Sequence, residues 1–421
     1  MTATDIHRTI DAVWKMEAAK VIAGLTRIVR DVGLAEDLAQ DALVVALEKW
    51  PESGVPDNPG AWLMATAKHR AIDLFRRNQL LERKHEEVGR EIEAKQMAMP
   101  NFDAGIEDNI GDDLLSLMFI SCHPVLSTEA RTALTLRLLG GLTTDEIARA
   151  FLASEPAIAQ RIVRAKRTLS DACVPFEVPR GRELVVRLSS VLEVSYLIFN
   201  EGYSATAGED WIRPGLCEEA LRLSRVLAEL APLEPEVHGL VALMEIQASR
   251  MKARVGPSGE PVLLFDQDRS RWDQLLIRRG LAALDRAEKL SATRGSYTLQ
   301  AAIAACHARA RAPEETDWTR IVSLYDALAE LAPSPVVQLN RAVAVGMASG
   351  PQAGFELTEK LTSESSLTNY HLLPSVRADL LTKLGRLAEA RAEFERAASL
   401  TRNARERELL LSMAERLGES Q

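Results

Sequence analysis

Aromatic residues are scarce in this chain, where Phe, Trp and Tyr together make up 5% of 421 residues. β-Sandwiches and barrels line their inner faces with aromatic and β-branched side chains, so this scarcity argues against them. The abundance of Ala, Leu, Arg and Glu points to helices instead. Long apolar runs are missing too. None approaches the ~18 residues that a membrane-spanning helix requires. The opening stretch, MTATDIHRTIDAVWKMEAAK, lacks the apolar core of a secretion signal. Cysteines are few: Cys122, Cys173, Cys217 and Cys306 lie far apart and form no CxxC pair. That excludes a disulfide framework and offers no zinc-ligand spacing. We expect idle thiols in a reducing cytoplasm, with no metal and no cofactor. A basic excess is also absent, because 51 Lys and Arg face 60 Asp and Glu for a net charge of −9. Such a chain does not coat nucleic acid indiscriminately, although local basic faces remain open to it. Residues 1–182 hold 23 basic and 27 acidic side chains, and the remainder holds 28 and 33. The two parts are balanced alike, so any contact with DNA must come from patterning.

What is present is helical periodicity broken by punctuation. AEDLAQDALVVALEK, residues 35–49, reads as a helix ending at Trp50-Pro51, followed by the Pro/Gly loop SGVPDNPG. Pro59 suits the first turn of a second helix. Residues 98–113 are acidic and rich in Gly, Pro and Asn, which reads as a linker. Ser127 opens another helix, and Gly140-Gly141 stops it. Thr144 is the expected N-cap of the next, with two acids in its first turn. A short break at LASEP leads to a helix from Glu155-Pro156, which completes a helix-turn-helix pattern. VPFEVPRGR, residues 174–182, marks a domain boundary. Beyond it LAELAP occurs at 227–232 and again at 328–333, an offset of 101 residues that is close to three periods of ~34. Residues 373–400 resemble one tetratricopeptide repeat, with weaker copies at 280–305 and 322–348. Such pairs bury their apolar faces only by stacking, so an array with a concave groove is expected. The motif DQDRSRWD, 266–273, lacks the Gly and Glu of a calcium loop; we assign it a structural role, with Asp268 or Ser270 capping the helix that follows.

Three helix faces carry chemistry. On α-helical spacing, Asp37, Asp41 and Glu48 fall within about 40° of one another, with Gln40 and Val44 alongside. This is either a plain solvated acidic face or a docking stripe for a basic partner helix. On residues 61–77, Trp62 stands amid Thr66, His69, Arg70, Asp73, Arg76 and Arg77. The Trp either packs on Trp50 or forms a stacking platform beside phosphate-binding arginines for unstacked bases. On the helix after Glu155, Ala157, Gln160, Arg161, Arg164, Arg167 and Thr168 share the outer arc. Arg and Gln read base edges in a major groove, and Arg grips phosphate as well.

Together these segments amount to a resemblance. AEDLAQDALVVALEKW, the loop and PGAWLMATAKHRAIDLFRR are similar to region 2 of a bacterial extracytoplasmic-function sigma factor, with His69 where that family usually has Asn. LSTEARTALTLRLLGGLTTDEIARAFLASEPAIAQRIVRAKRTL resembles its region 4. The extra length, with EGY and DWIRP at 201–214, resembles the subgroup with a fused repeat-containing extension. The implied organisation is all-α: region 2 over 8–92, an acidic linker over 93–113, region 4 over 114–174, and a helical extension over 183–421. The resemblance implies no catalysis. Asp37, Gln40, Asp41 and Val44 would dock on the β′ clamp helices of core RNA polymerase, with the β subunit a further partner. Asp57, Asn58, Trp62, His69, Arg70, Asp73, Arg76 and Arg77 would hold the opened −10 strand of promoter DNA. Thr144, Ser154, Glu155, Ala157, Gln160, Arg161, Arg164 and Arg167 would read the −35 element. The linker, with Asp103, Glu107, Asp108, Asp112 and Asp113, would thread toward the polymerase active-site channel. The extension would contact the sigma domains or the polymerase in cis. The competing assignments are a helix-turn-helix regulator with a tetratricopeptide effector module, and an interaction scaffold.

Overall fold

The structure is a computed structural model that describes residues 3–87, 110–151 and 153–418. Among them are eighteen α-helices and one pair of two-residue strands, which is the all-α class that the composition indicates. The chain divides into two compact units, Met1–Val194 and Ser195–Gln421.

The first unit opens with three long helices, α1 (Ala3–Val29), α2 (Val32–Ser53) and α3 (Pro59–Glu87). Asp31 starts α2 by accepting the Leu34 amide at 2.8 Å. Pro51 does not stop α2 at Trp50 as expected. Pro51 sits inside the last turn, and the end comes at Gly54, whose φ of 81° turns the chain out. Asn58 Oδ1 accepts the Ala61 amide at 3.1 Å and so caps α3. Ile10, Ile22, Leu25, Leu38, Ala42, Leu63 and Ala67 form the shared core.

Four shorter helices follow: α4 (Ile110–Ser121), α5 (Thr128–Leu138), α6 (Thr144–Ala150) and α7 (Glu155–Asp171). Most of the expected linker lies outside the described residues, but its end does not extend as expected. Asp112 and Asp113 form the first turn of α4, where carboxylates suit the helix dipole. Asp113 is 5% exposed and pairs with Arg27 Nε at 3.1 Å. Burial raises its carboxyl pKa, and the Arg27 charge opposes that rise. The N-cap of α6 is Thr143, one residue earlier than expected, and it forms a capping box with Glu146. The helix α8 (Gly181–Tyr203) begins at the anticipated boundary, yet its first half belongs to the first unit. Arg187 donates to the Phe119 carbonyl at 3.1 Å, and Arg131 bonds to Ser190 and Glu193.

The second unit stacks ten helices, each on its sequence neighbours: α9 (Pro214–Leu230), α10 (Pro235–Ala248), α11 (Gln274–Leu290), α12 (Ser296–Arg309), α13 (Trp318–Leu331), α14 (Pro335–Ser349), α15 (Pro351–Leu361), α16 (Leu372–Lys383), α17 (Leu387–Leu400) and α18 (Ala404–Gly418). Both LAELAP copies close the first helix of a pair, at the ends of α9 and α13. Their offset therefore spans two helix pairs plus the inserted segment 249–273, not three equal periods. DQDRSRWD sits in that insertion and is structural. Asp268 caps only the short turn Arg269–Arg271, while Asp273 caps α11 through the Leu275 and Leu276 amides. The expected capping role thus falls to Asp273.

The stack is not left open at its ends. β1 (Ala207–Gly208) pairs in parallel with β2 (Arg402–Asn403). Asn403 is 1% exposed and donates from Nδ2 to the carbonyls of Ala205 at 3.0 Å and Asp210 at 2.7 Å. The EGY and DWIRP residues converge here. Arg213 pairs with Glu201 and donates to the Ala207 carbonyl at 2.9 Å, and the Arg254 guanidinium lies 3.6 Å from the Tyr203 ring centre. Asn403→Ala leaves two carbonyls without their donor, a loss of about 1–3 kcal/mol. Amide hydrogen exchange at residues 207, 208, 402 and 403 is then expected to accelerate about tenfold to a hundredfold. Unchanged exchange would show that the side chain does not hold this junction.

Candidate nucleic-acid interface

The three faces read from the sequence are built on helices whose inner sides are buried. On α2, Ala35, Leu38, Ala39, Ala42, Val45 and Ala46 point inward. Asp37, Asp41 and Glu48 are exposed, and Val44 is 52% exposed in their midst. Gln40 is half-buried and donates to Glu36 at 2.5 Å. The stripe is therefore an acidic surface with an apolar centre. Free water gives Val44 no reward for lying there.

On α3, Leu63, Ala67, Ala71 and Phe75 face the core. His69, Arg70, Asp73, Arg76 and Arg77 are exposed on the other side, as are Asp57 and Asn58 in the preceding loop. Trp62 combines the two alternatives considered for it. It is half-buried, with its ring edge-to-face on the buried Trp50 at 5.2 Å between centroids. Packing thus fixes its orientation next to the cationic face. Asn58 already uses Oδ1 to cap α3, so its amide group is the part oriented away from that bond.

On α7, Ile158, Ile162, Ala165 and Leu169 are buried. Ala157, Gln160, Arg164, Arg167 and Thr168 are exposed and Arg161 is half-buried. Ala157, Gln160, Arg161, Arg164 and Thr168 line a cleft of about 460 Å³, whose other wall is Val125, Leu126, Ser127 and Ala130 at the start of α5. Glu129, in the first turn of α5, has its pKa lowered, first by its own backbone amide and then by Ser127. Ser154 occupies the N-cap position of α7 without a side-chain cap bond. Thr144 donates to Glu155 at 3.1 Å, so these two tie α6 to the start of α7. Arg167 pairs with Asp171 at 3.5 Å on the exposed side. Cys122 lies behind α5, bonded to Thr135 Oγ1, and burial pushes its thiol up to about 11. It is part of the scaffold.

One group of residues escaped the sequence reading. Glu36 is 2% exposed and lies between Arg137 of α5 and Lys166 of α7. Its signal was its position: seven residues before Leu43, it shares the inward side of α2.

The arrangement corresponds to known families. Residues 14–80 match the family Sigma-70 region 2, and residues 116–169 match Sigma-70, region 4. An ECF RNA polymerase sigma factor SigK of Mycobacterium sp. (strain KMS) is 26% identical over 167 residues, covering 37% of this chain and 80% of that protein. These matches support an ECF-type sigma factor. The two matched regions contain the helices that carry the exposed faces on α2, α3 and α7. Residues 187–288 match a family of unknown function, DUF6596. An uncharacterized protein of Rhizobium meliloti (strain 1021) is 42% identical over 398 residues, covering 94% of this chain and 93% of that one. The match to that relative thus runs across both units of this chain.

Proposed function

We propose that this sigma factor docks on core RNA polymerase through the α2 stripe, holds the opened −10 strand on α3, and reads the −35 element with α7. Asp37, Asp41 and Val44 would meet the β′ clamp helices, with Gln40 at the edge of the contact. Trp62, His69 and the cations Arg70, Arg76 and Arg77 would take the displaced strand, with Asp57 and Asn58 at the flipped base. The observation that carries the reading is the α7 face. A capped helix-turn-helix presents Gln160 and Arg164 outward on a rigid helix while Ile158 and Ile162 anchor it. The second unit, a set of tetratricopeptide-like helix pairs, adjusts this activity in cis. Its attachment supports that role: α8 is one continuous helix whose first half packs on region 4 through Arg187 and Arg131.

Run-off transcription with purified core polymerase and a promoter library tests the reading, with the full chain compared to one ending at Tyr203. Initiation by neither form would overturn it, and equal initiation by both would remove the cis role. Arg164→Ala is expected to weaken discrimination at the −35 element by about 1–3 kcal/mol while leaving core binding intact. Uniform weakening on all DNA sequences would instead make Arg164 a phosphate contact.

A further inference from the structure

Three arginines of the second unit are packed around shared aromatic rings without a counter-charge. Arg250, Arg254 and Arg269 all come from the segment inserted between α10 and α11. Arg254 is 7% exposed, and Arg250 and Arg269 are half-buried. Arg254 lies over the face of Tyr203, and Arg250 Nη2 donates to the hydroxyl of the same ring at 2.7 Å. Arg250 and Arg269 flank the buried Trp272, 5.7 and 4.8 Å from its ring centre. Among the described residues none of the three has a carboxylate partner. Their acceptors are neutral: the Tyr203 hydroxyl and Gln247 for Arg250, the Tyr203 carbonyl for Arg254, and the carbonyls of His307 and Ala310 for Arg269. Other well-buried arginines of this unit are matched, Arg213 with Glu201 and Arg377 with Glu393. Donors are left over as well. The Nε groups of Arg250 and Arg269 and the indole Nε1 groups of Trp211 and Trp272 are buried with no acceptor.

We propose that Arg250, Arg254 and Arg269, with Tyr203, Trp211 and Trp272, form a binding site for a phosphate-type oxyanion, either inorganic phosphate or the phosphoryl group of a small metabolite. A buried cation without a counter-charge is costly, and so is a buried donor without an acceptor. One anion with several oxygens answers both deficits. Three cations favour a dianion over a single carboxylate, and guanidinium forks suit phosphate oxygens in pairs. The surroundings do not supply that charge. Glu314 and Glu315 are exposed and act on Arg269 only from beyond ion-pair distance. Burial lowers the Arg254 pKa, the Tyr203 hydroxyl opposes this, and the Arg250 charge adds to it. Burial, then the charges of Arg250 and Arg269, push His307 down to about 4, so it adds no cation of its own at neutral pH. The half-buried Arg250 and Arg269 leave a small anion a way in. The site also adjoins the strand pair that joins the ends of the stack. Arg254 lies 5.4 Å from the Trp211 ring, and the Trp211 carbonyl accepts the Ala205 amide at 3.1 Å. An anion held here would brace that junction. Its binding requires neither polymerase nor promoter.

The full chain is titrated with inorganic phosphate and with glycerol phosphate in chloride buffer of constant ionic strength. Calorimetry reads binding, and amide hydrogen exchange reads its place. Saturable binding is expected, with exchange slowed at residues 203, 211, 250–254 and 269–272. At about 100 times the measured Kd the folded-to-unfolded ratio should rise about a hundredfold. Tighter binding of inorganic phosphate assigns the free ion, and tighter binding of glycerol phosphate assigns a phosphoryl ester. Arg250→Gln and Arg269→Gln should each weaken binding roughly 10- to 100-fold, the loss of one charge-assisted bond. Without phosphate the two variants should be as stable as wild type or more so, because one of three unmatched cations is gone. No binding of either ligand, protection confined to α3 or α7, or variants that bind like wild type would each overturn the site. So would variants that lose the same stability with and without phosphate, which is the mark of a purely structural cluster. The exchange experiment on the unaltered chain needs no substitution, so it decides the matter even where a variant does not fold.

Discussion

Replacing Trp50 with alanine is expected to lower stability by about 3–5 kcal/mol, the usual cost of removing a buried large aromatic. The residue is 1% exposed and plugs the end of the α1–α3 bundle. Its carbonyl accepts the Gly54 amide at 3.0 Å, which ends α2 and launches the loop carrying Asp57 and Asn58. Its ring holds Trp62. Loss of the ring therefore loosens the outer face of α3 around Trp62 as well as the core. Trp50 Nε1 is buried without an acceptor among the described residues, so Trp50→Phe should cost much less than alanine: the orphan donor goes while most of the packing stays. Trp62→Ala should cost less than Trp50→Ala because Trp62 is half-exposed. Denaturant unfolding of the full chain checks the order, and permanganate footprinting reports strand opening. A Trp50→Ala protein within 1 kcal/mol of wild type would show that the bundle closes without this ring.

The second large effect is expected at Asp41→Arg. Asp41 is exposed on α2 and holds up no part of the core, so the free protein should keep its stability to within about 0.5 kcal/mol. Binding is another matter. The substitution reverses a charge at the centre of the stripe, and like-charge contacts across an interface cost several kcal/mol. A loss of about 2 kcal/mol would weaken core polymerase binding roughly thirtyfold. Titration of labelled core polymerase with the variant measures this directly. Unaltered affinity would place the docking surface elsewhere on the protein.

Much of this was legible because helical periodicity sorts side chains by face. Asp37, Asp41 and Val44 recur at spacings that bring them to one side, and Ile158, Ile162 and Leu169 do the same for the inner side of α7. What was not legible was set by contacts between distant parts of the chain. Glu36 and Arg137 are separated by 101 positions, and Asn403 bonds to Ala205 across 198. No local pattern announces such partners. Asp112 and Asp113 read as linker because acids near Gly and Asn do so by composition, yet Arg27 waits for Asp113 on another helix. The one-residue shift from Thr144 to Thr143 has a local cause, because either threonine suits a cap and the box with Glu146 decides. The repeat period went astray because it assumed equal units, while the chain inserts residues 249–273 between α10 and α11.

The joined ends of the second unit alter how it can come apart. An open row of helix pairs loses its outermost members first, because each terminal pair has a neighbour on one side only. Here the strand after α8 is stitched to the strand before α18. Neither end can peel away until that stitch breaks, and once it does both termini are released together. Gradual fraying gives way to a threshold: the unit stays whole or fails as a whole. Trimming the chain back past Arg402 would therefore do more than shorten the stack, since it would also set its first turns loose.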